Sequence, residues 1–413
     1  MNFSFLPTLP FTLSYPLLFG VLLVAGMLGG EIARIVRIPR IIGYVVVGFV
    51  LGPFTKAMGM GSMLDEARIF VDLALGLVLF DLGRRMDLQW MKRDWTIAAC
   101  GFAESLLAFF AVLATLLAFR YDPVEAGLAA AIAMTTSPAV LLLTVHDTHS
   151  EGQVTERAMN VVALNGLSAS ILVTILLGSA HFEARSQVEV AILHPLYLFL
   201  GSLALGAAMA WISRVIARHI EKTREVHFAL VAGMVVCAVG LASMLKLPVI
   251  LALGLFARND DRSYDLLNVN LAPVGRLLYI VLFVITGAAL PLSSLVTAGV
   301  VGAAVAAARA AGKLTGILAI APIGGMRIRQ ALGLGAAVMP MSSLALLMLH
   351  DISRIFPAFA ADLSTVLVAC ILLMELAGPF AVQWGLRFAG DALPVDPVAT
   401  AQMTARVPTA PGD

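Results

Sequence analysis

Four ionisable side chains lie inside long apolar stretches of the chain, where a charge is costly: Glu104, Arg309, Lys313 and Glu375. Charged groups in such surroundings are usually functional or paired with one another. Arg309 and Lys313 are four residues apart and would share one helix face. Two like charges on one buried face need a counter-charge or a water-filled cavity. A carboxylate at such a place could hold a proton or a hard cation.

The composition excludes a water-soluble protein. Of 413 residues, 60% are hydrophobic and only 13% are charged, whereas soluble domains carry about 25% charged residues. Apolar stretches of roughly 20 residues, the length that spans a bilayer as a helix, recur along the chain. They are continuous rather than alternating, which favours helices over a membrane barrel. A net charge of +1 suggests no nucleic-acid partner.

The hydropathy pattern predicts an all-α polytopic membrane protein with about 13 transmembrane helices. The predicted spans are 12–33, 39–53, 67–86, 95–119, 124–146, 157–180, 191–217, 226–245, 247–258, 273–292, 296–322, 329–350 and 362–388. Residues 1–390 would form the transmembrane domain, and residues 391–413, rich in Pro, Ala and Thr, are expected to be a disordered cytoplasmic tail. No cofactor or metal site is expected, because the three cysteines lack metal or disulfide spacing.

The basic residues predict the orientation. Alternate loops are rich in Arg and Lys, as in 34–40, 84–93 and 214–224, while the opposite loops hold few. Basic loops stay in the cytoplasm. The pattern therefore places the N-terminus outside and the C-terminus in the cytoplasm of a bacterial inner membrane.

Two spans are interrupted by polar and helix-breaking residues near their middle. The fifth holds Thr135, Thr136 and Ser137 before Pro138, and the twelfth holds Pro340 before Ser342 and Ser343. Proline removes a helix hydrogen bond, and the freed carbonyls must lie inside protein or line a cavity. A matched pair of broken helices is typical of inverted-repeat transporters, whose site lies where the breaks meet. The alternative is two ordinary proline kinks.

Six segments, in order, resemble motifs of the monovalent cation/proton antiporter superfamily, in particular its Kef-like and NapA-like bacterial branch. They are GGEIARIVRIPRIIGYVVVGFVLGP, LALGLVLFDLGRRMDL, TTSPAV, LFVITGAAL, AAGKLTG and ELAGPFAVQWGLR. The resemblance covers roughly residues 15–390. It implies a core bundle (95–180 and 296–388) that moves against a dimerisation panel (12–86 and 191–292). It also implies a homodimer that exchanges Na+, K+ or Li+ for protons by alternating access.

The chain departs from that family at the residues that should do the chemistry. The family carries an essential aspartate in its sixth helix, where this chain has Asn165 and Gly166, with no carboxylate between residues 161 and 180. Asparagine cannot exchange a proton near neutral pH. The family's Arg-Gly-Glu stretch in the twelfth helix is replaced here by Met341, Ser342 and Ser343 after Pro340.

We therefore expect a relocated carboxylate. Glu104 would bind a cation or a proton competitively, beside Asn165, Thr136 and the carbonyls freed at both breaks. The alternative is a structural ion pair of Glu104 with Arg309 or with Lys313, the residue that by resemblance pairs with the missing aspartate. The remaining expected lining residues are Thr135, Ser137, Arg309 and Ser342. Glu375 is a second candidate, although Gly378-Pro379 just after it indicates a structural role.

Two other functions stay open. A transporter of the same fold could carry another solute, or an anion attracted by Arg309 and Lys313, without coupling through the usual aspartate. A non-transporting membrane sensor would have little use for two costly broken helices. An intramembrane enzyme is not expected, because no Ser/His/Asp or HExxH constellation is found.

Overall fold

The computed structural model describes residues 15–57, 68–85, 88–185, 188–221, 223–245, 247, 272–289, 293–341, 344–346, 348–349, 352 and 363–392, which contain helices and no strand. The main helices are α1 (Tyr15–Ile35), α2 (Arg40–Ala57), α3 (Arg68–Arg85), α4 (Leu88–Arg93), α5 (Trp95–Ala118), α6 (Pro123–Ala133), α7 (Pro138–Thr148), α8 (Gln153–Arg185), α9 (Val188–His219), α10 (Arg224–Met244), α11 (Ala272–Ala289), α12 (Ser293–Ile320), α13 (Ile328–Ala337) and α14 (Ser364–Ala389).

The all-helical membrane fold predicted from hydropathy is confirmed. Within the described part of the chain, eight stretches are long and apolar enough to cross a membrane, counting α6 and α7 together as one stretch of 26 residues. Most helix bounds agree with the predicted spans to within a few residues. The predicted ninth span, apart from Leu247, lies outside the described residues, as does Ser342. The short helix α4 is an addition, because its residues were expected to form a loop.

The helices pack in two groups. In one group α5 packs on α6, α8 and α12, and α14 packs on α12 and α13; in the other, α2 packs on α1 and α11, and α3 packs on α10 and α11. The division into a core bundle and a panel stays a prediction, but the first group contains the helices expected in the core.

Glycines bring α5 and α12 into backbone contact. A Cβ atom on Gly312 would lie 2.6 Å from the Cα of Ala108, and one on Gly316 would lie 2.5 Å from the Cα of Glu104. Small residues four apart allow helices to approach this closely in membranes. Lys313 follows Gly312 directly, so the close packing carries its side chain to the same level as Glu104.

Both predicted helix breaks are present. The first break, residues 134–137, separates α6 from α7, and Ser137 caps α7 by accepting a hydrogen bond from the amide of Val140 at 3.2 Å. The second break, residues 338–341, follows α13 at Ala337. Proline at the first position of α7 is well tolerated, because its missing N–H would have no helical partner there.

One end of the core is tied by polar contacts between distant parts of the chain. Arg157, which is buried, donates to Asp94 at 2.6 Å, joining α8 to the start of α5. Asp391 accepts a hydrogen bond from the amide of Thr155 at 2.8 Å, near the start of α8. Asp391 and Ala392 belong to the predicted disordered tail but are described here; residues 393–413 lie outside the described part.

Candidate functional site

The two breaks contact each other in the middle of the bundle. The amide of Ser137 donates to the carbonyl of Pro340 at 2.9 Å. The hydroxyl of Thr136 lies 3.3 Å from the carbonyl of Val338 and donates to it. Each break therefore supplies partners to the backbone groups that the other leaves without a helical bond. This is the crossing that a matched pair of broken helices predicts.

Arg309 on α12 binds the carbonyls at the ends of both half-helices. Its guanidinium donates to Ala133 at 2.6 Å, to Thr135 at 2.6 Å, to Met339 at 2.5 Å and to Pro340 at 3.2 Å. The carboxyl ends of α6 and α13 carry partial negative charge from their helix dipoles. A fully buried cation compensates both ends at once. Arg309 therefore holds the crossing together through the carbonyls of both breaks.

Asn165 of α8 completes the first break. Its side-chain oxygen accepts from the amide of Thr136 at 2.7 Å, and its nitrogen donates to the carbonyl of Met134 at 3.0 Å and to the hydroxyl of Ser105 at 2.8 Å. An amide can do both because it carries a donor and an acceptor. Asn165, expected from the resemblance to take the place of an aspartate, thus bonds one donor and one acceptor of the unwound segment.

Glu104 and Lys313 form an ion pair that is fully buried. The ammonium nitrogen lies 2.5 Å from Glu104 Oε2 and 2.8 Å from the hydroxyl of Thr136, and both charged side chains have no exposed surface. The Glu104–Lys313 pair considered in the sequence analysis is formed, and the Glu104–Arg309 pair is not. The carboxylate therefore lies at the first break, next to its threonine hydroxyl.

Ser105 is a member of the site that sequence reasoning missed. Its hydroxyl is 3.1 Å from Glu104 Oε1 and 2.7 Å from the carbonyl of Gly101, and it accepts from Asn165. A serine in an apolar helix commonly bonds its own helix at i−4, so the sequence offered no reason to single it out. It links Asn165 to the carboxylate of Glu104.

The other predicted lining residues have local roles. The hydroxyl of Thr135 donates to the carbonyl of Ile132 at 2.8 Å, and Ser137 acts as the cap of α7. Ser342 lies outside the described residues. Of the predicted set, Glu104, Lys313, Thr136 and Asn165 are brought together, and Arg309 lies beside them on the backbone of the breaks.

The arrangement presents oxygen atoms around a single positive charge. One carboxylate oxygen, Glu104 Oε2, and the hydroxyl of Thr136 accept from the Lys313 ammonium, in a region without exposed side-chain surface. Across the described residues no cluster of His, Cys, Asp or Glu could hold a multivalent metal ion. The cluster is chemically suited to exchanging one monovalent positive charge for another.

Glu375 lies apart from this network. Its side chain is fully buried on α14, and among the residues that the structure describes neither of its carboxyl oxygens has a hydrogen-bond partner. The sequence predicts that Glu375 lies in the middle of its span. It does not predict that the carboxyl group lacks hydrogen-bond partners in the described structure.

Solved structures of one protein share this fold. Two structures of the sodium proton antiporter MjNhaP1 from Methanocaldococcus jannaschii, one at pH 8 and one an electron-microscopy map, each match with a TM-score of 0.69 and 18% identity. The match covers 91% of this chain and 97% or 98% of theirs. At this identity the likeness shows the fold alone. No curated protein sequence matches the chain significantly.

The family assignment rests on the sequence. The model of the transmembrane sodium/hydrogen exchanger family matches residues 19–387, which is most of the chain. The resemblance to monovalent cation/proton antiporters is thereby confirmed. A multi-pass helical membrane protein with two crossing helix breaks and a buried carboxylate at the crossing, the chain belongs to the sodium/hydrogen exchanger family, whose members are transporters and not enzymes.

Proposed function

We propose that this protein exchanges a monovalent cation, Na+, K+ or Li+, for a proton at the Glu104–Lys313 pair. The observation that carries the proposal is the position of this buried pair at the crossing of the two breaks, where it contacts Thr136. Membership of the sodium/hydrogen exchanger family supports cation/proton exchange in general. The family's usual aspartate is replaced by Asn165, so another carboxylate must carry the cation.

The charges at the pair account for a one-for-one exchange. A Glu104 carboxylate and a Lys313 ammonium are neutral together, and both are fully buried. If a cation binds the carboxylate, the site would carry one net positive charge, which is costly away from water. Release of one proton from the ammonium restores neutrality. Cation entry is thereby coupled to proton release, and reprotonation of Lys313 expels the cation.

The oxygens that now accept from the ammonium would bind the cation. Glu104 Oε2 and the Thr136 hydroxyl already surround a unit positive charge at 2.5 and 2.8 Å. Hard cations prefer such carboxylate, hydroxyl and carbonyl oxygens. Asn165 does not titrate, and its amide keeps the first break in shape while the ion is exchanged.

Alternating access would open the crossing to one side of the membrane and then to the other. In this proposal the helices α5–α8 and α12–α14 move as the core against a panel of α1–α3 and α9–α11 through which two copies dimerise. The N-terminus would lie outside and the C-terminus in the cytoplasm, as the distribution of Arg and Lys indicates.

The geometry disfavours an anion as the substrate. Arg309 gives its hydrogen bonds to backbone carbonyls, and Lys313 is bound to Glu104. Neither cation is available to an anion without dismantling the crossing. The sensor hypothesis has no observation that favours it over transport.

The test is cation-driven proton movement in liposomes. Purified protein is reconstituted with a pH-sensitive dye inside, and Na+, K+ or Li+ is added against a proton gradient. We expect at least one cation to dissipate the gradient and Glu104→Gln to abolish the response. Glu31→Gln is the matched control, because it removes a carboxylate from an exposed ion pair with Arg34 on α1.

A second variant covers the case in which Glu104→Gln does not fold. Thr136→Val replaces the hydroxyl ligand with a methyl group, and the two side chains have similar volumes. The variant should need a higher cation concentration for half-maximal flux. Folding is checked by gel filtration. No flux with any cation from folded wild-type protein, or full flux from folded Glu104→Gln, would overturn the proposal.

A further inference from the structure

Glu375 is a buried carboxyl group that the exchange at Glu104 does not use. Its side chain has no exposed surface, and both oxygens lack a hydrogen-bond partner in the described structure. An ionised carboxylate in such a place is very costly, and even a neutral polar group loses free energy when it is unpaired. Ionisable residues in membrane helices are by default functional, with a partner to be named.

Two contacts place Glu375 at the level of the second break. On one side of it along α14, a Cβ atom on Gly378 would lie 2.8 Å from the Cα of Pro340. On the other side, the sulfur of Cys370 lies 4.0 Å from the sulfur of Met341. Glu375 lies between these two residues along α14, so its position in the helix is level with the second break.

The adjacent residue connects this position to the first site. Met374 lies next to Glu375, and its sulfur is 3.6 Å from the guanidinium of Arg309, which also binds Met339 and Pro340. A movement of the second break that Arg309 follows would therefore also be felt at α14. Met374 thus connects the helix that carries Glu375 to the arginine that holds the crossing.

Other charges are already committed or remote along their helices. The elements packed against α14 are α2, α6, α7, α8, α12 and α13. The ionisable residues of these elements whose side chains are described are Arg40, Tyr44, Glu125, His146, Asp147, Glu156, Arg157, Arg309, Lys313 and Arg329. None of them forms an ion pair with Glu375: Lys313 pairs with Glu104, Arg157 with Asp94 and Arg40 with Asp147.

The chemistry of the surroundings favours a proton as the ligand. A monovalent metal ion needs several oxygen ligands, whereas no described group donates a hydrogen bond to the carboxyl oxygens of Glu375. The contacts that α14 makes nearby, through Cys370, Met374 and Gly378, are with Met341, Arg309 and Pro340. A proton needs only the carboxylate itself, and binding it removes the charge. The free-energy cost of the ionised carboxylate falls when water reaches the second break, because water can solvate the charge.

We propose that Glu375 is a second proton-binding site of this transporter, protonated while the crossing is closed and released to water when the second break opens. The coupling of this proton to transport rests on the proposed function; its binding does not. In the cycle the Glu375 carboxylate would bind one proton and become a carboxylic acid. It would release that proton to water when the second break becomes hydrated.

The first experiment is infrared difference spectroscopy on the full-length protein in lipid, recorded between neutral and alkaline pH. We expect a carbonyl band of a protonated carboxylic acid that disappears on alkalinisation. The band should be lost in Glu375→Gln and kept in Glu104→Gln, the matched isosteric change at the other buried carboxylate. This readout does not require transport, so it stays informative if no cation drives proton flux.

The second experiment measures liposome flux with the same variants. Glu375→Gln should lose cation-driven proton flux while remaining folded by gel filtration, and Glu375→Asp should recover part of it. An absent or non-titrating band in the wild type would overturn the proposal. A titrating band that is lost in Glu375→Gln while flux stays unchanged would overturn its place in the transport cycle, because the proton would then bind without being coupled to the cation.

Discussion

The two helix breaks differ in how fully their polar groups are satisfied. At the first break, Asn165, Arg309 and the Glu104–Lys313 pair supply a donor or acceptor to the backbone and hydroxyl groups. Beside the second break, the carbonyls are bound by Arg309, yet the carboxyl group of Glu375 has no hydrogen bond in the described structure.

The contrast separates two uses of a buried carboxylate. Glu104 is held by a counter-charge, so a competing cation must displace an ammonium to reach it. Glu375 has nothing to displace and can change only by gaining or losing a proton. Substitutions at the crossing should therefore lower stability most at Arg309, less at the Glu104–Lys313 pair, and least at groups that have a substitute hydrogen-bond partner.

The largest effect is expected from Arg309→Met. The change leaves the carbonyls of Ala133, Thr135 and Met339 without a donor, at about 1–3 kcal/mol each, which is comparable with a total stability of about 5–15 kcal/mol. The Pro340 carbonyl keeps the amide of Ser137. The protein should fail to elute as a folded species in gel filtration. Arg309→Lys should do little better, because one ammonium cannot serve both breaks.

The matched control is Arg34→Lys in the exposed pair on α1, which should elute like the wild type. A folded, heat-stable Arg309→Met protein would show that the breaks do not depend on this residue.

The second effect concerns the ion pair. Removing one partner of a buried pair costs about 3–5 kcal/mol, because it leaves an uncompensated charge. Lys313→Met and Glu104→Gln should each lower the thermal unfolding midpoint clearly. The double variant should be less destabilised than the sum of the two, since neither charge is left behind. Additive losses in this double-mutant cycle would argue against a direct interaction in the membrane.

The third effect concerns the spacing of α5 and α12. In Gly316→Ala the new methyl group would meet the backbone of Glu104, so the helices must separate at a cost of about 1–3 kcal/mol. The pair with Lys313 should be weakened, and cation-driven flux should fall with stability. Gly299→Ala on the same helix is the control, because its Cβ has open space and alanine is favoured by about 1 kcal/mol in a helix.

The smallest effect is expected from Asn165→Asp, which restores the family's residue. A buried ionised carboxylate would be costly, so we expect the aspartic acid to be protonated, to accept from the amide of Thr136 and to donate one hydrogen bond where the amide of Asn165 donates two. The net loss of one hydrogen bond should cost about 1 kcal/mol. Asn160→Asp on the same helix serves as the control, since Asn160 donates only to its own helix at Glu156. Stabilisation by Asn165→Asp would contradict the capping role.

The helices and both breaks followed from the sequence because lipid leaves few choices. An apolar run must become a helix, and Pro138 or Pro340 within it must release backbone groups that need partners. The partners themselves did not follow. Arg309 and Lys313 share a helix face but lie one turn apart. Because of this spacing, Lys313 reaches the carboxylate of Glu104, whereas Arg309 reaches the backbone carbonyls of the breaks. That difference depends on the close approach of α5 and α12, which no local pattern contains.

The bond between Asp391 and the start of α8 has a practical consequence. Because the aspartate binds the amide and the hydroxyl of Thr155, the last described residues of the chain act as a clasp on the helix that carries Asn165. An affinity tag or a truncation should therefore begin beyond Ala392. A protein truncated before Asp391 would lose a helix cap worth about 1 kcal/mol. Stability measurements on variants in that truncated form would therefore include the loss of this cap.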